Sequence, residues 1–507
     1  MVVNKDTTWL VEKHDFIHIT ILLAIALGIG VYLIATTVLI SKDGVCYIEQ
    51  AQELSSHPIG VIKAHPPGYP FLIFVTHKFV GLFSNSSSVY SWIYSAQSVT
   101  LLCRLIALIP LYFIGKLLVG EKRSFWAILV LIMLPYPAEF GSDALRDWPH
   151  ILFLATGFLF LLLGAAQVKW WMFGVAGLAA GLGHIIRPEC AQLVIYGALW
   201  LLIRLLLPNR NLSRIRVVFA LLILLIGFVI PAAPYMKVRE RIMPLRLKAL
   251  VGSSSEPQSQ RLLEADIDSH NDLYATASLT GSMAKAIDAL IEGISENLLY
   301  FFVLPLLVGV CLRFRRRFAA TDTEKFFVPA FVVFNIIALV LLYYTDNYIS
   351  RRHTLPLVLF TIFYVPSGLQ ALGDWLGRGI YKGRLPAKKN SQQWFLILLA
   401  IGFAVCLPKL LRPVGADKRG FRTAAKWLKD NTSREDTVAV PDKRISFYAE
   451  RKGLIYDKNI PEGVKYVVKI VKSEDEELDV GISVRRGLSL WVDQRKKAKR
   501  IVIYKIL

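Results

Sequence analysis

Four places in this 507-residue sequence gather acids and cations that could do chemistry together. Asp43 stands in SKDGVCYIEQAQ with Tyr47 four residues on, and Lys63 and His65 precede a Pro-Pro-Gly bend in KAHPPGYPFLIF. PAEFGSDALRDWPH carries Glu139, Asp143, Arg146 and Asp147. GLGHIIRPE carries His184 and Arg187, and TDNYISRRHTLP carries Arg351 and Arg352. A positioned carboxylate can take the proton of an attacking hydroxyl or amine. A guanidinium makes two parallel charged hydrogen bonds to phosphate and stabilises charge developing on it as it departs. The set therefore suits group transfer from a phosphate-bearing donor. Plainer roles compete at each position. Asp43 can be a solvated or helix-capping residue, Asp143 and Asp147 can meet a helix dipole, and the arginines can snorkel to lipid headgroups. If helical, Asp143 and Asp147 share a face, as do His184 and Arg187, with Pro188 ending their helix. Gly68 would permit close approach of a neighbour.

What positions these residues follows from solvent. The chain is 54% hydrophobic and 19% charged with a mean hydropathy of +0.48, and its apolar runs repeatedly reach membrane-spanning length. They are continuous, not alternating, so the spans are helices and not barrel strands. Eleven are expected, at roughly 16–40, 96–115, 124–138, 148–166, 170–186, 189–207, 216–235, 298–312, 326–344, 354–372 and 393–410. The first is too long for a secretory leader and lacks a small-residue cleavage site.

The net charge of +21 does not point to nucleic acid, because much of the excess lies in short loops between spans. With the N-terminus inside, those inside loops hold twenty Lys and Arg, while the short outside loops hold only Arg146, Arg187, Arg351 and Arg352. Those four violate the rule that orients the chain, which makes them candidates for a site. Three long segments then face outside: 41–95, 237–297 and everything after 410. In the last, Phe421, Ala424, Ala425 and Leu428 recur at helical spacing, and TVAV, YVVKIV and RIVIYKI read as strands, so a small α/β domain over 411–507 is expected. The five cysteines form no CxxC pair or disulfide framework.

These motifs resemble the GT-C glycosyltransferases, and most closely the family 39 branch of protein mannosyltransferases and aminoarabinose lipid A transferases. Asp43, Tyr47 and His65-Pro66-Pro67-Gly68 are similar to that branch's first loop, and ALRDWPHILFL to its second acidic motif. RRHTLPLVLFTIFYVPSGLQAL resembles its late arginine-leucine-proline segment, and RGFRTAAKWLKDNTSREDTVAVPDKRISFYAERKG the tail of bacterial members. Gly44 departs from the pattern: the family usually has Glu after the Asp, so Asp43 is left as the motif's sole acid.

The resemblance implies a GT-C-like all-α transmembrane domain over 1–410 and an extracytoplasmic tail domain. It implies transfer of a sugar from a polyprenyl-phosphate donor to a glycan, lipid or protein acceptor, outside a cell membrane that is bacterial by the tail. Asp43 would be the base, with Asp147 the second acid and Asp143 the runner-up. Tyr47, Lys63, His65, Arg187, Arg351 and Arg352 would hold the donor's lipid phosphate. No cofactor and no nucleic-acid partner are implied, and the absence of a metal-ligand cluster in the sequence leaves a divalent metal open. Two alternatives stand beside this one. An oligosaccharide ligase or other lipid-linked group transferase would move a preassembled group and need not carry the Asp43–Tyr47 signature, whereas a transporter or flippase would place its ionisable residues near mid-membrane.

Overall fold

A computed structural model describes residues 12–82, 88–167, 169–207, 213–239, 283–315, 320–381, 387–456, 459–471, 484–492 and 499–506. Most of the long 237–297 segment thus lies outside the described residues, as do Lys5, Arg210, Arg316, Arg317, Lys382 and Arg384 of the charge count.

Helix α1 (Lys13–Thr36) opens on a reciprocal cap in which the Glu12 N–H donates to Asp15 Oδ2 at 2.8 Å. Asp15 is fully buried and also accepts from Lys116 Nζ at 2.6 Å and Tyr112 Oη at 2.9 Å, which ties α1 to the far end of α5 (Val89–Val119). Between them residues 41–82 fold as α2 (Lys42–Glu53), α3 (Pro58–Ala64) and α4 (Gly68–Gly81). The bundle continues with α6 (Glu121–Met133), α7 (Pro135–Phe140), α8 (Asp147–Gln167), α9 (Trp170–Ile186), α10 (Gln192–Leu206) and α11 (Arg214–Arg239). It closes with α12 (Met283–Asn297), α13 (Val303–Arg315), α14 (Asp322–Asp346), α15 (Arg351–Thr361), α16 (Val365–Tyr381) and α17 (Ala387–Leu410). Its interior is aromatic and aliphatic: Phe158 meets Phe327, Phe331 and Phe360 at ring-centroid distances of 5.0–6.2 Å.

The chain is a multi-pass membrane protein. Among the described residues, eight helical segments are long and apolar enough to cross a bilayer, so the expected count of eleven is not reached by full-length spans. The other three expected spans correspond to α6, α9 and α13. Helix α6 has 13 residues, about 20 Å of rise against a hydrocarbon core of roughly 30 Å. Leu134 is extended and Pro135 restarts the chain as α7, so hydropathy alone joined two short helices into one span. Helix α13, also 13 residues, begins only after Leu299 and Tyr300 adopt positive φ.

After the bundle come α18 (Arg419–Asn431), α19 (Lys443–Ala449) and five strands: β1 (Thr437–Val440), β2 (Lys452–Ile455), β3 (Tyr466–Val471), β4 (Val484–Trp491) and β5 (Arg500–Ile506). The sheet order is β2-β1-β3-β5-β4, with β1 parallel to β2 and β3 and the other pairs antiparallel. The expected face of α18 (Phe421, Ala424, Ala425, Leu428) packs on Val438, Val468, Ile501 and Ile503. That core is continuous with Leu39, Ile40, Val45 and Ile48, so the tail domain meets the start of α2, with α19 at the contact.

Candidate active site

Asp43 follows the first expected span directly in sequence, but it stands on a helix of its own. Helix α1 stops at Thr36, and Asp43 lies in the first turn of the separate helix α2, capped by Ser41 Oγ accepting from the Gly44 N–H at 3.2 Å. Its carboxylate favours that N-terminus electrostatically and its side chain is 28% exposed. Tyr47, one turn on, is buried with its ring edge-on to Tyr69 at 5.2 Å and the Arg146 guanidinium 5.5 Å from its centroid. It forms the wall behind Asp43. A Cβ at position 44 would sit 2.8 Å from Ala144 Cβ and 2.9 Å from Ala144 O. The family's usual Glu cannot fit here, because α2 is pressed against the loop that carries Asp143. Gly68 plays a similar part: a Cβ there would meet Ile186 Cγ1 at 2.7 Å and Ile185 O at 3.0 Å at the end of α9.

Asp143 and Asp147 do not share a helical face, since α8 begins only at Asp147. Asp143 lies in the preceding turn and accepts from the N–H groups of Ala144 (2.7 Å) and Ser41 (3.1 Å), stitching that turn to α2. Burial drives its pKa up to about 6, although the two backbone donors oppose the rise. Glu139, four residues earlier, is pushed to about 7 by burial and then by the Asp143 charge.

Asp147, with a side chain only 2% exposed, is the hub. Oδ1 accepts from Arg187 Nη1 at 2.8 Å, and Oδ2 from Arg352 Nε at 3.0 Å. Arg352 uses its other edge on Asp43, Nη1 to Oδ2 at 2.5 Å. Arg187–Asp147–Arg352–Asp43 is thus one alternating chain of charges drawn from four separate stretches of sequence. Arg187 is not on the helix with His184: α9 ends at Ile186 and Arg187 is its extended C-cap. Glu189 lies 3.7 Å from its Nε. Arg352 sits in the first turn of α15, where a helix dipole disfavours positive charge, so the two carboxylates offset that placement.

The remaining expected residues are placed elsewhere. Arg351 turns away from Arg352 to pair with Glu296 Oε2 at 3.1 Å and to stack 4.3 Å from the Tyr136 ring centroid. Lys409 lies over the same ring at 3.9 Å and bonds its hydroxyl. Asn297 Nδ2 donates to Arg351 O at 2.7 Å, fixing α12 against α15. Lys63 is exposed on α3, and His65 caps that helix on the wall of a cavity shared with Glu49 and Lys443. Tyr136, Glu296 and Lys409 escaped the sequence analysis. Each is a single polar residue near a helix end, and only the fold makes them neighbours. Also unforeseen is His150, one turn past Asp147, 2% exposed with neither ring nitrogen hydrogen-bonded. Among the described residues no three His, Cys, Asp or Glu side chains gather as a metal-ligand set.

The tail reaches this site through the backbone between α1 and α2. Arg444, held bidentate by Asp442 at 2.9 and 2.7 Å, donates to Ile40 O at 3.3 Å, and the Ile40 N–H donates to Tyr448 Oη at 3.1 Å. Arg422 lies between the rings of Tyr90 (4.7 Å) and Tyr448 (4.2 Å). Only Ser41 and Lys42 separate Ile40 from Asp43, so the sheet domain helps set the orientation of α2.

Residues 64–233, which include Asp143, Asp147 and Arg187 but neither Asp43 nor Arg352, match the family model for dolichyl-phosphate-mannose-protein mannosyltransferases. No curated protein matches the chain in sequence. Among solved structures, ArnT from Cupriavidus metallidurans bound to undecaprenyl phosphate is similar at a TM-score of 0.58 with 13% identity, covering 97% of this chain and 98% of that one. Its apo form gives a TM-score of 0.54 over the same coverage. AglB from Archaeoglobus fulgidus, an archaeal oligosaccharyltransferase in complex with an inhibitory peptide and a dolichol-phosphate, gives 0.52 at 13% identity, covering 90% of this chain and 69% of that one. The fold from end to end is that of these GT-C structures, and the family match covers residues 64–233 of it.

Proposed function

We propose that this GT-C glycosyltransferase moves a sugar from a polyprenyl-phosphate donor to an acceptor hydroxyl or amine, on the extracytoplasmic side of a bacterial inner membrane, with Asp43 as general base. The observation that carries this is Arg352, which joins the half-exposed Asp43 to the buried Asp147. A phosphate entering the site offers Arg352 a competing anion. As the guanidinium turns to it, Asp43 is released to accept a proton. The acceptor oxygen then bonds to the anomeric carbon and its proton passes to Asp43. The bond from that carbon to the phosphate oxygen breaks, and polyprenyl phosphate leaves with the electron pair. Arg352 and Arg187 stabilise the negative charge gathered there, while Asp147 keeps both guanidinium planes in place. The loop-charge asymmetry supports an extracytoplasmic site, and the lipid phosphates held by ArnT and AglB support the donor class.

Asp43→Asn preserves size and loses the base. In proteoliposomes supplied with a polyprenyl-phosphate sugar it inserts and folds normally but transfers nothing. Turnover at the wild-type rate would remove Asp43 from the mechanism. The likeness to AglB favours one variation, a preassembled oligosaccharide in place of a single sugar, and donors of each length in the same assay separate the two.

A further inference from the structure

One cavity, of 220 Å3, lies beside the charge chain without belonging to it. Cys46, Glu49, Gln50 and Glu53 of α2 form one wall, the Val61–His65 side of α3 another, and Lys443 of the tail domain the rim. Seven residues of α-helix turn through nearly two full rotations, so Gln50 lies on the same face of α2 as Asp43, roughly 10 Å further along. Cys46 falls between them. The cavity therefore lies on the same face of α2 as the proposed base.

Its chemistry is specific. Gln50 is 8% exposed and its Oε1 accepts no hydrogen bond, and a buried acceptor left in that state calls for a donor from elsewhere. Glu49 is paired with Lys443 Nζ at 2.5 Å, which leaves the exposed Glu53 as the carboxylate that sets the sign of the cavity. Beside Cys46 and His65, Gln50 and Glu53 add acceptors that favour O–H donors, and the Glu53 carboxylate opposes phosphate. The volume is smaller than that of drug-sized sites, about 300–1,000 Å3, and suits a single ring.

We infer that this cavity seats the acceptor, and that the part it holds is a neutral, hydroxyl-rich sugar unit whose O–H groups donate to Gln50 and Glu53, while the hydroxyl that attacks belongs to a neighbouring part of the acceptor beside Asp43. The inference rests on the transferase reading given above. The tail domain is part of the acceptor site through Lys443, which positions Glu49.

The test uses full-length protein in nanodiscs of phosphatidylethanolamine and phosphatidylglycerol, with a panel of neutral methyl hexosides and their 6-phosphates followed by saturation-transfer NMR. Wild-type protein binds at least one neutral hexoside more tightly than its phosphate. Gln50→Leu weakens that binding about tenfold, the loss of one or two hydrogen bonds. Glu53→Lys, at an exposed site where folding is not at stake, shifts the preference toward the phosphate. Occupancy by water alone, seen as no hexoside binding, overturns the inference, as does binding that ignores both Gln50→Leu and Glu53→Lys. If polyprenyl-phosphate sugar is still consumed in native membranes, only the cavity assignment falls. If no such donor is consumed, the transferase reading falls first.

Discussion

Arg352→Ala removes the central link of the charge chain, and its cost can be worked from the geometry. Two charge-assisted hydrogen bonds disappear, to Asp147 at 3.0 Å and to Asp43 at 2.5 Å. Hydrogen bonds to charged groups contribute about 1.5–3 kcal/mol each, and an orphaned buried charge costs about 3–5 kcal/mol. Asp147 is not orphaned, because Arg187 holds its other oxygen at 2.8 Å, and the partly exposed Asp43 regains water. The stability loss is therefore about 2–3 kcal/mol, within what a folded domain tolerates. Activity falls further: one electrostatic donor to a leaving group is worth about 100- to 1,000-fold in kcat. Arg352→Lys restores charge without the two-edged fork and recovers only part of it. Arg313→Ala is the control. Arg313 grips the fully buried Glu324 through Nε at 2.9 Å and Nη2 at 2.6 Å, at the far end of α14, roughly 33 Å of helix from its Asp346 end. It should cost at least as much stability and leave turnover per folded molecule intact. The assays are thermal unfolding in detergent and sugar transfer in proteoliposomes. Wild-type turnover in Arg352→Ala, or an equal loss of turnover in Arg313→Ala, refutes the role given to Arg352.

Gly44→Ala places a methyl 2.8 Å from Ala144 Cβ and 2.9 Å from its backbone oxygen, so α2 must shift, at about 1–3 kcal/mol, and transfer drops with the misplacement of Asp43. Unchanged stability and turnover would show that the contact is slack. Glu139 is raised from 4.5 to about 7, so its neutral form is favoured on folding. The stability it contributes is full below about pH 4.5 and is lost as pH rises through about 7. Unfolding midpoints measured across that window decline in wild type, and less steeply in Glu139→Gln. Arg444→Ala frees Ile40 O and leaves Asp442 without its bidentate partner, so the tail should become protease-sensitive and transfer fall while donor binding persists. Arg351→Ala, which breaks the Glu296 pair and the Tyr136 stack away from the charge chain, should raise the KM for donor less than Arg352→Ala does; an equal rise would bring Arg351 into the donor site.

The membrane-spanning character, the α/β tail and the sheet-facing residues of α18 were legible in the sequence, because they follow from local composition and period. Long apolar runs can only be helices in lipid, and Phe421, Ala424, Ala425 and Leu428 can only share a face in a helix. Asp43, Asp147, Arg187 and Arg352 were also legible, as ionisable residues breaking the apolar and charge patterns around them. Their connectivity was not. A charge chain linking positions 43, 147, 187 and 352 is set by how four helix ends meet, and no local period encodes it. The same limit hid the breaks at Leu134 and Leu299, since hydropathy averages over a window and cannot see one residue leave the helix. It parted Arg351 from Arg352, because neighbours at the start of a helix point about 100° apart. It also left Gly44 as an unexplained departure until Ala144 was found pressed against it, a packing fact that only the tertiary structure holds.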